Sequence, residues 1–512
     1  KSMGHVLLAP LINDAVKKKK NLNHCQAAIT HLIKTCRPNH LLNSLLEVIE
    51  DIDPGAISET ILALIPHLQT LLRLDERKAA GVGLVLSALQ KQVSRLPVPY
   101  TQQQVETDEL GLCRCCTALA AFMKPFTEEV KRKDRNCVTT AEDEELKTEI
   151  LKCMRSLREP LLEAELNRDR KSPLWLFAVE IMVTLPAITE PLSGLLFFSS
   201  QRKSTMMDSS QTNESKACLA YLLFVQLITI DSFPAVFPVF VLQCNMEYIN
   251  HLLSKKESYL LKGLALFSKS LENIQDNSLP VSLLEQKSVY SNLRQLLTDC
   301  PMQHLRESGL EIFQLFINKL DAEAKHKFFC MLKTSSHAGV ESYIVKNIRN
   351  QIEFSMKPGN ANKWFLGTEL LPLLGLVLCL PQGAETDLLN SMDIMESLNL
   401  LRYFQADVWE ELCRIKDEYL KMLRVCISIS RAYYSSELKA LKEDQKLKAK
   451  ARDAARSNRL VKSITVKHEK VSNMSPEVQN QVLQSALVTF DLMESLIVRI
   501  EEITEEKLTK LN

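Results

Sequence analysis

The chain has 512 residues, with 63 Lys and Arg against 62 Asp and Glu, so its formal net charge at pH 7 is +1. This balance excludes the strongly basic overall charge that drives binding to nucleic acid or to an anionic membrane. The sequence contains only 13 glycines, far below the roughly 7% of an average protein, so few residues are available for phosphate-binding loops. Its 14 cysteines follow no disulfide or zinc spacing, which is typical of a reducing compartment. We therefore expect a cytoplasmic, mainly helical protein without a membrane span.

Apolar residues recur at three- and four-residue spacing along nearly the whole chain, which predicts amphipathic helices. Pro, Gly and Asn clusters interrupt this pattern, as in "RPNH" at Arg37–His40 and "DPG" at Asp53–Gly55. The interruptions fall roughly every 15 to 25 residues, which suits antiparallel helix pairs stacked side by side. The prediction is an all-α, HEAT/armadillo-like helical-repeat solenoid, based on this rhythm because no repeat consensus is present.

Changes in composition divide the predicted solenoid into segments. We expect N-terminal repeats in residues 1–126, a charged linker in 127–149, middle repeats in 150–300 with a polar loop at 199–216, and C-terminal repeats in 301–512 with a basic linker at 437–467. From Glu437 to Arg459 there are eight Lys or Arg and four acids. This basic segment favours either a contact with an acidic partner or nucleic acid, or a solvated helix or linker.

Two helices in the C-terminal part have especially clear patterns. Leu305, Gly309, Ile312, Phe316 and Leu320 share one helical face. Further along, Ser475-Pro476-Glu477 reads as an N-cap, a first-position proline and a first-turn acid. The helix that follows carries one long apolar stripe, formed by Leu483, Ala486, Leu487, Phe490, Met493, Ile497 and Ile500.

Reactive side chains occur singly or in patterns that helices explain. Glu385 and Asp387 follow a Pro-x-Gly turn, and residues two apart on a helix point about 200° away from each other. They therefore favour a helix start over an acid/base pair. "GLCRCC" at Gly111–Cys116 has no second ligand pair at zinc spacing, which predicts a core helix. No P-loop, zincin or nucleophile-elbow string is present. We expect a protein that is not an enzyme and that uses no cofactor and no metal.

Several strings in order along the chain resemble one family, the glomulins. They are "LPVPY" (Leu96–Tyr100), "GLCRCC" (Gly111–Cys116), "LAYLLFVQ" (Leu219–Gln226), "FINKLD" (Phe316–Asp321), "NKWF" (Asn362–Phe365), "PQGAETDLL" (Pro381–Leu389), "SLNLLRYF" (Ser397–Phe404) and "ALVTFDLMES" (Ala486–Ser495). The resemblance spans roughly residues 1–505, and the family's N-terminal helices are expected to be absent here.

The resemblance implies an all-helical, HEAT-like protein that binds the RING subunit of cullin–RING ubiquitin ligases through its C-terminal half. It implies a steric inhibitor, without chemistry of its own, that covers the RING surface used by the ubiquitin-conjugating enzyme. It further implies an association with vascular development and contact between the N-terminal part and an FK-binding immunophilin. The alternative is a general helical-repeat scaffold or trafficking adaptor.

The resemblance places the RING-binding surface in the C-terminal repeats. Side-chain types that often contribute most to binding energy at interfaces suggest which residues form it. Lys346, Arg349 and Asn350 share a helical face at i, i+3 and i+4. Trp364 and Trp409 could either extend such a surface or be buried between helices. The predicted partner-binding residues are His337, Tyr343, Lys346, Asn347, Arg349, Asn350, Trp364, Arg402 and Tyr403.

Overall fold

The structure is a computed structural model, and it describes residues 7–8, 10–12, 22–74, 77–99, 101–135, 140–156, 171–188, 216–227, 238–254, 256–285, 287–333, 338–380, 388, 393–402, 409–450, 465–466, 469–470 and 475–511. Helices account for nearly all of these residues, and the predicted all-α class with helical-repeat stacking is confirmed. Among the described residues the strands are two short ones, β1 (Thr465–Val466) and β2 (Glu469–Lys470), which pair antiparallel.

The helices have the following bounds in chain order. They are α1 (Leu22–Thr35), α2 (Pro38–Glu50), α3 (Ile57–Leu74), α4 (Lys78–Val93), α5 (Gln102–Thr107), α6 (Leu112–Arg135), α7 (Ala141–Ser156), α8 (Pro173–Ile188), α9 (Pro238–Leu253), α10 (Glu257–Glu272), α11 (Lys287–Asp299), α12 (Gln303–Lys319), α13 (Ala322–Lys333), α14 (Ala338–Ser355), α15 (Lys363–Leu366), α16 (Leu370–Val377), α17 (Asp393–Leu401), α18 (Trp409–Lys450) and α19 (Pro476–Leu511). Short 3-10 turns occur at Pro54–Ala56 and Val281–Glu285, and a π-helical turn at Leu222–Leu227.

The chain divides into two compact units. The first comprises Lys1–Ile274, Gln286–Leu293 and Gln303–Leu315, and the second comprises Gln275–Glu285, Arg294–Met302 and Phe316–Asn512. Helices α11 and α12 each contribute residues to both units, and the three blocks of repeats expected from composition stay a prediction. Composition does not register such a boundary, since both helices have ordinary amphipathic sequences.

If the six-residue helix α5 is left out of the count, the helices of the first unit contact the next helix and the next but one. Helix α2 packs on α3 and α4, α3 packs on α6, α4 packs on α7, and α6 packs on α8. Alternate helices therefore form two layers, which is the packing expected of helical repeats. The predicted core helix at "GLCRCC" is confirmed, because Cys113, Cys115 and Cys116 are all buried on α6.

The second unit contains a cluster of short helices and a long helical hairpin. Helix α13 packs on α14, α15 and α16, while α14 also packs on α17. Helices α18 and α19 pack on each other, and salt bridges from Arg424 to Glu501 (2.7 Å) and from Arg431 to Asp491 (2.6 Å) connect them.

The predicted apolar stripes form the core of these helices. On α12, Leu305, Gly309, Ile312, Phe316 and Leu320 are all buried. On α19, the buried stripe comprises Leu483, Ala486, Phe490, Met493, Ile497 and Ile500, whereas Leu487 is half-buried. Helix α19 begins at Pro476 as predicted, and the Ser475 hydroxyl accepts a hydrogen bond from the Val478 amide at 3.4 Å.

The described residues of both predicted linker segments are mostly helical. Helix α6 continues to Arg135 and α7 begins at Ala141, and Thr127 and Val130 are buried within the segment expected to be a linker. Helix α18 continues into the basic segment as far as Lys450, and residues 451–464 lie outside the described residues. Charged residues occupy the exposed faces of these helices, so a high charge density did not mean a break. Residues 199–215 of the predicted polar loop, and Glu385 and Asp387, lie outside the described residues.

Two helices within the described ranges are long and apolar enough to cross a membrane by length and composition alone. They are Pro54–Leu74 and Pro476–Glu506. Core helices of soluble proteins pass the same test, and half of the first apolar window is buried inside the protein. The absence of a membrane span therefore stays a prediction.

The contact between α18 and α19 gives a direct test of this packing. Phe490 is fully buried and its ring centre lies 5.5 Å from that of Tyr434. We expect Phe490→Ala to lower the free energy of unfolding by about 3–5 kcal/mol, because it removes buried apolar surface and leaves a cavity. Val488 is 65% exposed on the same helix, so Val488→Ala should change the free energy of unfolding by less than about 0.5 kcal/mol. Urea unfolding followed by circular dichroism measures both variants, and equal midpoints would contradict the packing.

Candidate partner-binding surface and polar cleft

Helix α14 carries most of the residues predicted to bind a partner. Its apolar side packs inward through Val340, Ile344, Val345, Ile348 and Ile352, all of which are buried. On the opposite side, Lys346 and Asn350 are exposed and Arg349 is half-buried. The three residues predicted to share a helical face therefore do form one outward-facing group, because they lie one turn apart on the polar side of an amphipathic helix.

Two other predicted residues on α14 are not exposed. Asn347 is buried, and its side-chain amide donates a hydrogen bond to the Tyr343 carbonyl at 3.0 Å. Tyr343 is half-buried, and burial raises the pKa of its phenol. The expected exposure of Asn347 is therefore wrong. Its spacing of three from Ile344 and seven from Val340 places it on the buried face, which was a signal available in the sequence.

Trp364 is held in place by its neighbours. Asn362 caps the short helix α15, since its side-chain oxygen accepts hydrogen bonds from the Trp364 amide (3.2 Å) and the Phe365 amide (3.1 Å). The indole is half-buried, and its ring centre lies 5.3 Å from that of His326. Lys363 Nζ also contacts the indole, at 4.8 Å from its ring centre. Trp364 can therefore present only part of its surface to a partner.

Helix α17 packs on α14, and the predicted residue Arg402 lies just after its end. Glu396 of α17 lies 3.5 Å from the guanidinium of Arg349, which fixes that side chain between the two helices. Arg402 follows the end of α17 and is exposed. The structure therefore places Lys346, Arg349 and Asn350 on one helix and Arg402 at the end of its neighbour. His337 and Tyr403 lie outside the described residues, as does the side chain of Trp409.

His326 lies beside Cys330, and a histidine next to a cysteine is the pairing used in nucleophilic catalysis. His326 Nε2 lies 2.7 Å from the Glu369 carbonyl oxygen and therefore donates to it, which leaves Nδ1 facing the Cys330 sulfur at 4.0 Å. A nucleophilic cysteine needs a lowered pKa. Burial instead raises the pKa of the Cys330 thiol, so it remains protonated and the contact with His326 is structural.

The cysteines of "GLCRCC" are also expected to be unreactive. Burial raises the pKa of the Cys113 and Cys115 thiols to about 12, and it raises that of Cys116 as well. Protonated thiols are poor metal ligands and poor nucleophiles. Within the described part of the chain, no group of three or more His, Cys, Asp or Glu side chains could hold a metal ion.

A polar cleft of about 340 Å³ lies beside the exposed face of α14 and was not predicted from the sequence. Its lining is rich in carboxamides and contains Asp276, Asn277, Asn318, Lys325, Asn350, Gln351, Glu353, Phe354 and Lys357. The segment before Pro280 is docked on the end of α12, with the Asn277 amide donating to the Asn318 carbonyl at 3.0 Å. This docking brings residues 276 and 277 next to helices α13 and α14.

Lys325 is the buried cation of this cleft. The residue is 3% exposed, and its Nζ donates to the side-chain oxygens of Asn277 and of Gln351, the latter at 3.3 Å. Burial lowers the pKa of Lys325 to about 8, an effect partly opposed by the charges of Asp276 and Asp321. The sequence did contain a signal for this residue, because Lys325 falls on the same helical face as the buried Phe328 and Phe329.

The lowered pKa of Lys325 makes protein stability depend on pH. Its folded-state pKa of about 8 is below its ordinary value of 10.5, so the buried charge disfavours folding fully below pH 8 and progressively less as pH rises to 10.5. Relative to Lys325→Met, the wild-type free energy of unfolding should therefore rise across this window, by roughly 3 kcal/mol at most.

Urea unfolding of the two proteins at a series of pH values measures this difference. Lys346→Met, which removes an exposed lysine of the neighbouring helix, controls for the loss of one positive charge. A stability difference between wild type and Lys325→Met that stays constant from neutral to alkaline pH would contradict the buried position of this ammonium group.

The chain is similar to known proteins over almost its whole length. The model of a family described as "Uncharacterised protein family, YAP/Alf4/glomulin" matches residues 189–486. Glomulin of Homo sapiens is 42% identical over 538 aligned residues, which cover 99% of this chain and 88% of that relative. Glomulin of Mus musculus is 41% identical over the same shares of both chains. The chain belongs to the YAP/Alf4/glomulin family.

Proposed function

We propose that this protein is a non-catalytic inhibitor of cullin–RING ubiquitin ligases. In this proposal the C-terminal helices bind the RING subunit, together with its cullin, and prevent the ubiquitin-conjugating enzyme from docking. The observation that carries the proposal is the similarity to glomulins, which extends over 99% of the chain at 42% identity.

The surface of the second unit suits such a role. Lys346 and Asn350 project from α14, while Arg349 is fixed by Glu396 and Arg402 extends the group at the end of α17. Side chains on packed helices are preorganised, which lowers the entropy lost on binding. A standard protein–protein interface of about 1,600 Å² is large enough to exclude a competing protein from a small domain. Inhibition of this kind requires occupancy of a surface and no reactive group.

Helix α18 offers a second exposed surface that favours a protein-binding role. Met422, Val425 and Ile429 are each 45–50% exposed and recur at i, i+3 and i+7, so they form an apolar strip along the helix. Exposed apolar strips of this kind are common at protein–protein contacts. A general scaffold or trafficking adaptor would use such surfaces too, and it would differ from the inhibitor by not competing with the conjugating enzyme.

The remaining features of the proposal concern location and other partners. We place the protein in the cytoplasm, where cullin–RING ligases act and where its cysteines would stay reduced. Contact with an FK-binding immunophilin would involve the N-terminal helices, and a role in vascular development would follow from ligase control. The proposal includes no binding to nucleic acid and no membrane span.

Ubiquitin-chain formation by a purified cullin–RING ligase tests the proposal. We expect inhibition on titration with this protein, and the concentration needed for half inhibition should rise as more conjugating enzyme is added, because the two proteins compete for one surface. Full ligase activity at saturating, folded protein would contradict the proposal. Inhibition that excess conjugating enzyme does not relieve would exclude competition as its mechanism.

A pair of charge reversals tests the location of the surface. We expect the double variant Lys346→Glu/Arg402→Glu to require at least about tenfold more protein for half inhibition, equivalent to 1.4 kcal/mol or more of lost binding energy. Lys91→Glu reverses an exposed charge on α4 of the first unit and serves as the matched control. Equal inhibition by the double variant and the control would place the RING contact elsewhere on the protein.

A further inference from the structure

The floor of the polar cleft is organised by a single buried cation. Lys325 Nζ donates to the side-chain oxygens of both Asn277 and Gln351, which belong to different parts of the second unit. A carboxamide has an oxygen that accepts and an NH2 group that donates hydrogen bonds. Because Lys325 already occupies both side-chain oxygens, the NH2 groups of the two side chains remain to donate to a ligand. Lys325 thereby sets the orientation of two hydrogen-bond donors.

The ammonium group of Lys325 has hydrogen-bonding capacity left over. It carries three N–H donors, and its acceptors among the described residues are two, the oxygens of Asn277 and Gln351. Both acceptors are neutral, so the charge of Lys325 has no carboxylate in direct contact. A buried cation that lacks a contacting anion is costly, and a bound carboxylate would compensate it.

The acidic residues of the cleft do not supply that carboxylate. Asp276 lies 2.7 Å from Lys319 Nζ, so its carboxylate contacts a different lysine, and Asp276 and Asp321 act on Lys325 only as nearby charges without a direct contact. Glu353 and Lys357 are both exposed on the rim, where their opposite charges offset each other. Lys325 and the two carboxamides of the cleft lining can therefore offer one positive charge and at least three donors to an anion that enters.

The rim of the cleft suits an extended peptide. Asn350 is exposed and offers both a donor and an acceptor, which match the main-chain groups of an extended segment. Phe354 is 41% exposed and provides an apolar contact for the stem of a bound side chain. The volume of about 340 Å³ lies at the lower end of the range for small-ligand pockets, which suits one acidic side chain and its flanking main chain.

We propose that this cleft binds an extended segment of a protein partner and receives one Asp or Glu side chain on its floor. The carboxylate accepts hydrogen bonds from the Lys325 ammonium and from the carboxamides of Asn277 and Gln351. Lys325 has two roles, since it neutralises the ligand's charge and it orients the two amides. The proposal can be tested without ligase components. Its main contacts, Lys325, Asn277 and Gln351, are not among the residues proposed to bind the RING subunit, whereas the rim residue Asn350 belongs to both sets.

Selection from a displayed library of random decapeptides on the full chain tests this proposal. We expect the enriched peptides to share one Asp or Glu, and their individual affinities can be measured by fluorescence polarisation. Replacing that acid with Asn or Gln should weaken binding at least tenfold. Failure to enrich any sequence above an uncoated surface would overturn the proposal, and so would enriched peptides without a shared acidic residue.

Variants of the cleft establish where the peptide binds. Lys325→Met keeps the length of the side chain and removes its charge, and we expect it to weaken binding at least tenfold. Asn277 has a φ of 60°, a conformation that glycine adopts readily, so Asn277→Gly removes one carboxamide without backbone strain and should weaken binding about threefold or more. This second variant keeps the test decisive even if Lys325→Met does not fold.

Two controls separate this site from its surroundings. Lys91→Met removes an exposed lysine of α4 in the first unit that does not line the cleft, and binding should remain at the wild-type level. Free succinate at millimolar concentration tests whether a carboxylate alone is sufficient, and we expect it to compete only weakly because it lacks the main-chain contacts. Equal binding by wild type, Lys325→Met and Asn277→Gly would overturn the assignment of the peptide to this cleft, as would stronger binding of succinate than of any peptide.

Discussion

The burial of one apolar stripe per helix is the constraint on which the rest of this structure depends. In proteins most of the stability of a helix comes from packing of its apolar face, so each helix must cover its apolar stripe against neighbouring helices. In the first unit this is achieved by contacts to the next helix and the next but one, which produces two layers. In the second unit, α18 and α19 cover each other over a long contact that contains Tyr434 and Phe490. The free energy for all of this comes mainly from apolar surface removed from water.

The same constraint decides which side chains are left for partners. Helix α14 must bury Ile344 and Ile348, which forces Lys346 and Asn350 outward and draws Asn347 inward. Because the backbone of such a helix is fixed on its buried side, the exposed residues have defined positions before any partner arrives. A binding protein built in this way needs no reactive group, and the raised pKa of Cys330 is consistent with that.

The polar cleft is the place where this packing stops being purely apolar. Lys325 lies where an apolar residue would be expected on α13, and its burial requires hydrogen-bonding partners from outside the helix. Asn277 and Gln351 supply them, and the docking of the segment near Leu279 on the end of α12 keeps Asn277 in position. A polar network of this kind stabilises a protein less than an apolar core of equal volume would. A role in ligand binding therefore explains its presence better than a contribution to stability does.

The sequence by itself determined the helical class, the buried stripes of α12 and α19, the start of α19 at Pro476 and the core position of Cys113, Cys115 and Cys116. These features are local, since a period of 3.6 residues and a capping residue can be read from a short window. The family resemblance was also present in the sequence, and it located the candidate surface in the C-terminal half.

The tertiary structure alone decided how far the charged helices continue, how Trp364 packs on His326, and which residues meet in the cleft. Asn277, Lys325 and Gln351 are separated by 48 and 26 positions in the chain. No local period connects residues that far apart, and only Lys325, on the same helical face as Phe328 and Phe329, carries a signal of its own. They form a site only because the packing of α12, α13 and α14 brings them together, and that packing depends on interactions summed over the whole unit.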